Sequence, residues 1–152
     1  MGLTRTIDLA LTAEIAQSLV QYAEVEISSA EILALFTTPK ALVAAPGAGK
    51  VLEFISLLLA YDFNTAAYTI GAATNLQVKY TDAAGAAVST TQAVTGMIDQ
   101  ATDQLRSLDK LEVSVTPVAN TALVLTLAVA NPTLGIGTIH AKVAYRVYPT
   151  GL

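Results

Sequence analysis

The chain of 152 residues has no cysteine and no tryptophan, a single histidine, and only 13% charged residues. Each shortage removes a class of chemistry. Without cysteine there are no disulfides and no thiolate nucleophile, which suits folding in a reducing cytoplasm. The one histidine, His140, would need convergent partners to build a metal site or a Ser-His-Asp triad, and no local motif supplies them. It lies between Thr138 and Lys142 on the polar side of an alternating segment and reads as a solvated strand residue. Eight Lys and Arg against twelve Asp and Glu give a net charge of −4, so the basic patch of a nucleic-acid binder is not expected. The longest apolar stretch, residues 51–61, is too short for a membrane helix and contains Glu53. The start, MGLTRTIDLALTAEIAQ, lacks an uninterrupted apolar run, so no signal peptide is expected.

Charge itself is scarce. Soluble domains carry about 25% charged residues. Here 53% of residues are hydrophobic and the mean hydropathy is +0.56. Small apolar residues account for part of that. The remainder predicts a surface that meets other chains, as in an oligomer or an assembly subunit. The length fits one domain with a real core.

The stretch APGAGKV, residues 45–51, invites comparison with a phosphate-binding loop. That motif places a glycine five residues before the Gly-Lys pair and a hydroxyl after the lysine. The positions hold Ala44 and Val51. The segment that follows, VLEFISLLLAYDF, has the β-branched and aromatic content of a strand, not a helix offering its amides to phosphates. Pro46, Gly47 and Gly49 instead predict a tight turn, with residues 41–45 and the run from Lys50 as hairpin partners.

Periodicity predicts a mainly β chain. Thr12 is placed to cap a helix over residues 13–22, with Ile15 and Leu19 on one face. Residues 21–28 then alternate as a half-buried strand, and residues 29–36 form a helical turn or two. Residues 51–63 are apolar on both faces, with Ile55, Leu57, Leu59 and Tyr61 on one and Phe54, Leu58 and Ala60 on the other. Residues 75–81, 86–90, 111–116, 122–130 and 138–148 read as further strands, the last with Ile139, Ala141, Val143, Tyr145 and Val147 inward. Residues 96–108 carry Met97, Ile98, Ala101 and Leu105 at helical spacing and predict a short mid-chain helix. Some eight short strands between turns argue for a β-sandwich or jelly roll over residues 21–152, preceded by an N-terminal arm or helix over residues 1–20.

Few residues suggest chemistry. Asp99 and Asp103 would share a face of the mid-chain helix, with Arg106 near enough to offset them, and read as a polar helix face. Tyr61, Tyr80 and Tyr145 fall on apolar faces and are expected in the core. Tyr68 and Tyr148 sit in loop or terminal positions suited to touching a partner or a glycan. No catalytic, cofactor-binding or metal-binding residue is assigned, and no enzymatic activity is expected.

Three stretches, residues 28–54 (SSAEILALFTTPKALVAAPGAGKVLEF), residues 75–105 (NLQVKYTDAAGAAV, then TGMIDQATDQL) and residues 120–148 (NTALVLTLAVANPTLGIGTIHAKVAYRVY), together resemble a group of small virion proteins of tailed bacteriophages, the head decoration or cement proteins. The resemblance covers most of the chain after residue 20 and transfers no individual functional residue. It implies a β-sandwich that binds the exterior of a phage capsid as a homotrimer and clamps neighbouring copies of the major capsid protein. Neither nucleic acid nor membrane would be a partner, and synthesis would occur in the host cytoplasm. The candidate interface is Leu9, Leu11, Ile15 and Leu19 of the N-terminal segment, Phe54 and Leu58 of the two-sided apolar strand, and Tyr68 and Tyr148. The alternative is a tail or fibre-associated sandwich that recognises a host surface or glycan, since one fold serves either role.

Overall fold

Alternation of apolar and polar residues sets the strands of this chain, seen in a computed structural model that describes Ile15 and residues 19–150. In chain order the elements are β1 (Gln21–Ile27), α1 (Ser29–Ile32), β2 (Lys40–Val43), β3 (Lys50–Asp62), β4 (Asn75–Tyr80), β5 (Ala87–Ala93), β6 (Gln104–Asp109), β7 (Leu123–Leu127) and β8 (Thr138–Pro149). The fold is mainly β, in two four-stranded antiparallel sheets ordered β1-β8-β3-β6 and β2-β7-β4-β5. The pairing is nested: β4 lies against β5, β3 against β6, β2 against β7 and β1 against β8.

Both sheets contribute to one apolar core. Leu57, Leu59, Tyr61, Ile139, Ala141 and Val143 come from the first, and Leu76, Val78, Leu123, Leu125 and Leu127 from the second. Each fully buried large side chain contributes about 1.5–3 kcal/mol relative to exposure. Tyr80 adds a polar tie between the sheets, its hydroxyl donating to the carbonyl of Leu52. Burial pushes the pKa of that phenol up, and the nearby Glu53 charge adds to the effect.

Strict alternation fails in the middle of β3. The β3–β8 register slips between Phe54 and Ser56, so Ile55 is the extra residue of a bulge. Leu52 and Phe54 before it, and Leu57, Leu59 and Tyr61 after it, are therefore all buried. The sequence alone assigns Phe54 and Leu57 to opposite faces; the extra residue brings both into the core. A second bulge lies in β5, where two steps along β4, from Gln77 to Lys79, oppose four along β5, from Thr91 to Ala87. Ser89 is fully buried there, its hydroxyl accepting from the Val78 amide at 2.8 Å and donating to the Thr90 carbonyl at 2.7 Å.

Local rules hold well at α1. Ser28 caps it, accepting from the amide of Glu31, while the Glu31 carboxylate accepts from the Ser28 amide and hydroxyl. Lys40 forms an ion pair with the same carboxylate. The lysine hydrogen bond first, then the Ser28 amide, hold the Glu31 pKa down at about 2.

Three expectations are corrected, and a fourth falls mostly outside the described residues. The 44–50 turn is not a hairpin: β2 pairs with β7 and β3 with β6 and β8, so APGAGK carries the chain from one sheet to the other. Gly47 and Gly49 do supply the positive φ a tight turn needs, at 99° and 70°. The loop is pinned from outside, the Gly47 amide donating to Asn120 Oδ1 and the Thr150 amide to the Gly49 carbonyl. The mid-chain helix is absent. Gly96 turns the chain with φ at 76°, Met97 and Ile98 bury themselves within tight turns, and residues from Gln104 are claimed by the ladder with β3. Residues 111–116 form no strand. Pairing with β5 stops at Lys110 and Leu111, and Val113 is 69% exposed. The structure gives the N-terminal helical arm no support. Most of residues 1–20 lies outside the described residues, and Tyr22, read as the last residue of the helix over 13–22, belongs to β1.

Two outcomes are expected. Ser89→Ala leaves the buried Val78 amide without its acceptor and should cost about 1–3 kcal/mol, read as a lower urea midpoint; an unchanged midpoint would mean the amide finds another partner. Glu31 should titrate at about 2 in the folded chain, against a usual 4.5, when followed by carboxyl NMR. Because its folded pKa is depressed, its contribution to stability is complete above about 4.5 and is lost as pH falls toward 2. Lys40→Ala should move the titration upward and shrink that window.

Candidate interaction surfaces

Three surfaces present apolar side chains to solvent. The first is a groove of about 420 Å³ beside the start of β3. Its lining includes Val51 and Phe54 of β3, Leu111, Val113 and Val115 of the segment after β6, and Tyr148 near the end of β8. Phe54 is 3% exposed and forms part of the floor, whereas Val113 and Tyr148 stand in solvent. Tyr148 is held in place by charge. Glu53 and Arg146 are cross-strand partners joined at 3.4 Å, and Arg146 Nη1 donates to the Tyr148 hydroxyl at 3.0 Å. Lys110 is also in the lining, and no carboxylate pairs with it among the described residues.

The second surface is the loop from β7 to β8. Val129, Leu134 and Ile136 are 60%, 73% and 47% exposed. The loop is nevertheless fixed. Thr69 and Thr133 exchange amide–carbonyl hydrogen bonds at 2.8 Å, and the Ile136 amide donates to the Ala66 carbonyl. Asn131 reaches back to the Phe36 amide and the Thr37 hydroxyl. Tyr68 lies underneath, 3% exposed, its hydroxyl donating to the Gly137 carbonyl at 2.6 Å. Its ring approaches Gly135 so closely that an added Cβ would meet it at 2.5 Å. Val129 and Leu134 have φ of 75° and 55°, conformations that L side chains avoid and that persist only where surroundings impose them.

The third surface is the outer face of the β1-β8-β3-β6 sheet. The register aligns Glu24, Lys142 and Leu58 in one row and Glu26, His140, Ala60 and Leu105 in the next. Small Ala60 leaves open depressions of about 340 and 400 Å³ on its two sides, both bordered by His140. Leu58 is 41% and Leu105 60% exposed. Glu24 and Lys142 pair at 2.8 Å, which lowers the pKa of the first and raises that of the second. The Lys142 ammonium also lies 5.6 Å from the Tyr22 ring centre.

The structure separates the residues grouped by the sequence. Tyr148 and Leu58 are on the surface, at the groove and on the outer sheet face. Phe54 is a core residue that touches the groove only as floor. Tyr68 is buried beneath the β7–β8 loop and offers no contact surface, because its ring fills the space left by Gly135. Ile15 and Leu19 are exposed, whereas Leu9 and Leu11 lie outside the described residues. Tyr61 and Tyr80 are buried as expected, and Tyr145 is partly so. Asp99 and Asp103 do not form a paired site. Asp99 caps a turn, accepting from the Gly96 amide at 2.7 Å, whereas Asp103 ties to the end of β3, accepting from the Phe63 amide at 3.0 Å. Arg106 turns to the Gly96 and Leu105 carbonyls instead. His140 is exposed in β8. The β7–β8 loop was legible only as a turn. Its one signal was two aliphatic residues, Leu134 and Ile136, on either side of a glycine where polar residues are usual.

No protein-family model matches the chain, and no curated protein does. Among solved structures the chain is similar to one titled as the capsid asymmetric unit of cyanophage Pam1. The identity is 17% and the TM-score 0.47, over 84% of this chain and 83% of that one.

Gly135→Ala and Gly71→Ala form a matched pair. Both glycines have positive φ, but only Gly135 has an atom within 4 Å of a new Cβ. Gly71→Ala should cost about 1 kcal/mol from backbone strain alone. Gly135→Ala should cost about 1–3 kcal/mol more through the clash with Tyr68, seen as a larger fall in the thermal midpoint. Equal falls would show that the Tyr68 ring yields freely.

Proposed function

We propose that this chain is a structural virion protein of a tailed bacteriophage that decorates the head. In this reading it binds the outside of the capsid, contacts the major capsid protein and clamps neighbouring capsid subunits. It self-associates as a homotrimer. It reaches the capsid exterior after synthesis in the host cytoplasm, and its role is non-enzymatic. The observation that carries the reading is the display of large apolar side chains on immobilised backbone, in a chain with 13% charged residues. Surfaces of that kind serve burial against another protein. The nested strand order supports reading the two sheets as a β-sandwich with jelly-roll connectivity, an architecture that viral capsid domains use. The sequence resemblance to decoration proteins supplies the choice of the head over other virion parts.

The test is to mix the purified chain with empty heads of the phage that encodes it and image them. The expected result is density repeated at equivalent lattice positions, with heads that resist heat or low salt better than bare ones. Absence from heads would overturn the proposal, and binding confined to tails would favour the host-recognition alternative.

A further inference from the structure

The β7–β8 loop and the groove lie at opposite ends of the β3–β8 ladder. The groove takes in Val51 to Phe54, whereas the loop ends at Thr138, which pairs with Asp62. At about 3.3 Å per residue, Phe54 and Asp62 are separated by roughly 25 Å. One copy's loop therefore cannot reach its own groove. The two surfaces are complementary in chemistry. The loop projects Leu134 and Ile136, and Asp62 stands beside it, its carbonyl against Gly137. The groove offers Leu111, Val113 and Val115, with Lys110 at its lining. Among the described residues no cation pairs with Asp62 and no anion with Lys110. Asp99 and Asp103 reinforce the negative end. Asp62 and Asp103 line one depression, and after burial the charges of Asp103, Asp62 and Asp99 push the pKa of Tyr61 up.

We propose that the β7–β8 loop of one copy docks into the groove of a second copy, with Leu134 and Ile136 entering the apolar lining and Asp62 facing Lys110. The contact joins two different patches, so it is heterologous: it closes into a ring if the rotation permits and otherwise propagates. The inference rests on the self-association in the reading above and specifies its interface. The left-handed backbone at Leu134 supports it, since a loop fixed in its binding shape loses little freedom on docking.

The experiment uses the full chain and two variants, Leu134→Asp on the loop and Val113→Asp in the groove. Both sites are highly exposed, so each variant should fold, as circular dichroism would verify. Sedimentation equilibrium should show wild-type association and a loss of about tenfold or more in affinity for each variant alone. Mixing the two should restore a two-chain species, because one variant keeps an intact groove and the other an intact loop. Wild-type association by both variants, a mixture that stays monomeric, or a wild-type chain that is monomeric at every concentration would overturn the proposal. So would native mass spectrometry showing a small apolar molecule filling the groove of a monomer. Head binding is scored separately on the same proteins. A chain that associates through these patches but ignores heads removes the decoration reading alone, and one that coats heads as a monomer removes this interface alone.

Discussion

The ladder between β3 and β8 is the constraint on which the rest of the molecule depends. It runs from Lys50 opposite Pro149 to Asp62 opposite Thr138, the length of the first sheet. On its flanks β1 joins β8 and β6 joins β3. The same two strands fix both ends of the fold. Their start and finish bring Glu53, Arg146 and Tyr148 together at the groove, and their other ends set the β7–β8 loop beside Asp62. The bulge at Ile55 lets one strand serve both stretches of core without a break, at the expense of perfect alternation.

Strands that obey a simple period were legible in the sequence. β4 and β8 show their buried sets directly, Leu76, Val78 and Tyr80 in one and Ile139, Ala141 and Val143 in the other. The capping box at Ser28 and Glu31 and the turn glycines at 47 and 49 follow local rules that need no tertiary information. What stayed hidden was non-local. No pattern in residues 41–62 says that β2 and β3 belong to different sheets, since adjacent strands joined by a short turn usually pair. Met97, Ile98, Ala101 and Leu105 sit at helical spacing, yet the β3 edge, the Asp99 cap on Gly96 and the Asp103 tie to Phe63 decide their conformation. Surface sites were the least legible. Tyr68 looked like a contact residue because it lies in a loop, and Leu134 looked like part of a turn. The first is a buried support and the second the exposed residue it supports.

That exchange of roles relates composition to surface. A chain short of charge would ordinarily hide its aliphatic residues. This one displays several, and holds those of the β7–β8 loop on backbone that cannot relax, between the Thr69–Thr133 hydrogen bonds and the Tyr68 ring. Polar groups are spent chiefly on restraint: Asn131, Asp99, Asp103 and Asn120 all accept from backbone amides. The few ion pairs among the described residues join neighbouring strands or fasten α1 to β2, so they too serve to hold geometry.

The nested pairing also governs the order of events as the chain folds. Only β4 and β5 are neighbours both in sequence and in a sheet, joined by the short turn around Gly85. Every other ladder closes a longer loop, and β1 with β8 the longest, so the loop-closure entropy rises with each pair added outward. Such a topology is slow to form because its local contacts are few. The strand at the heart of the first sheet, β8, is made after the other described strands, so β1 and β3 each wait with an open edge until it arrives. The uncharged run of β3 from Phe54 to Tyr61 makes this interval the moment at which the chain is most exposed to aggregation.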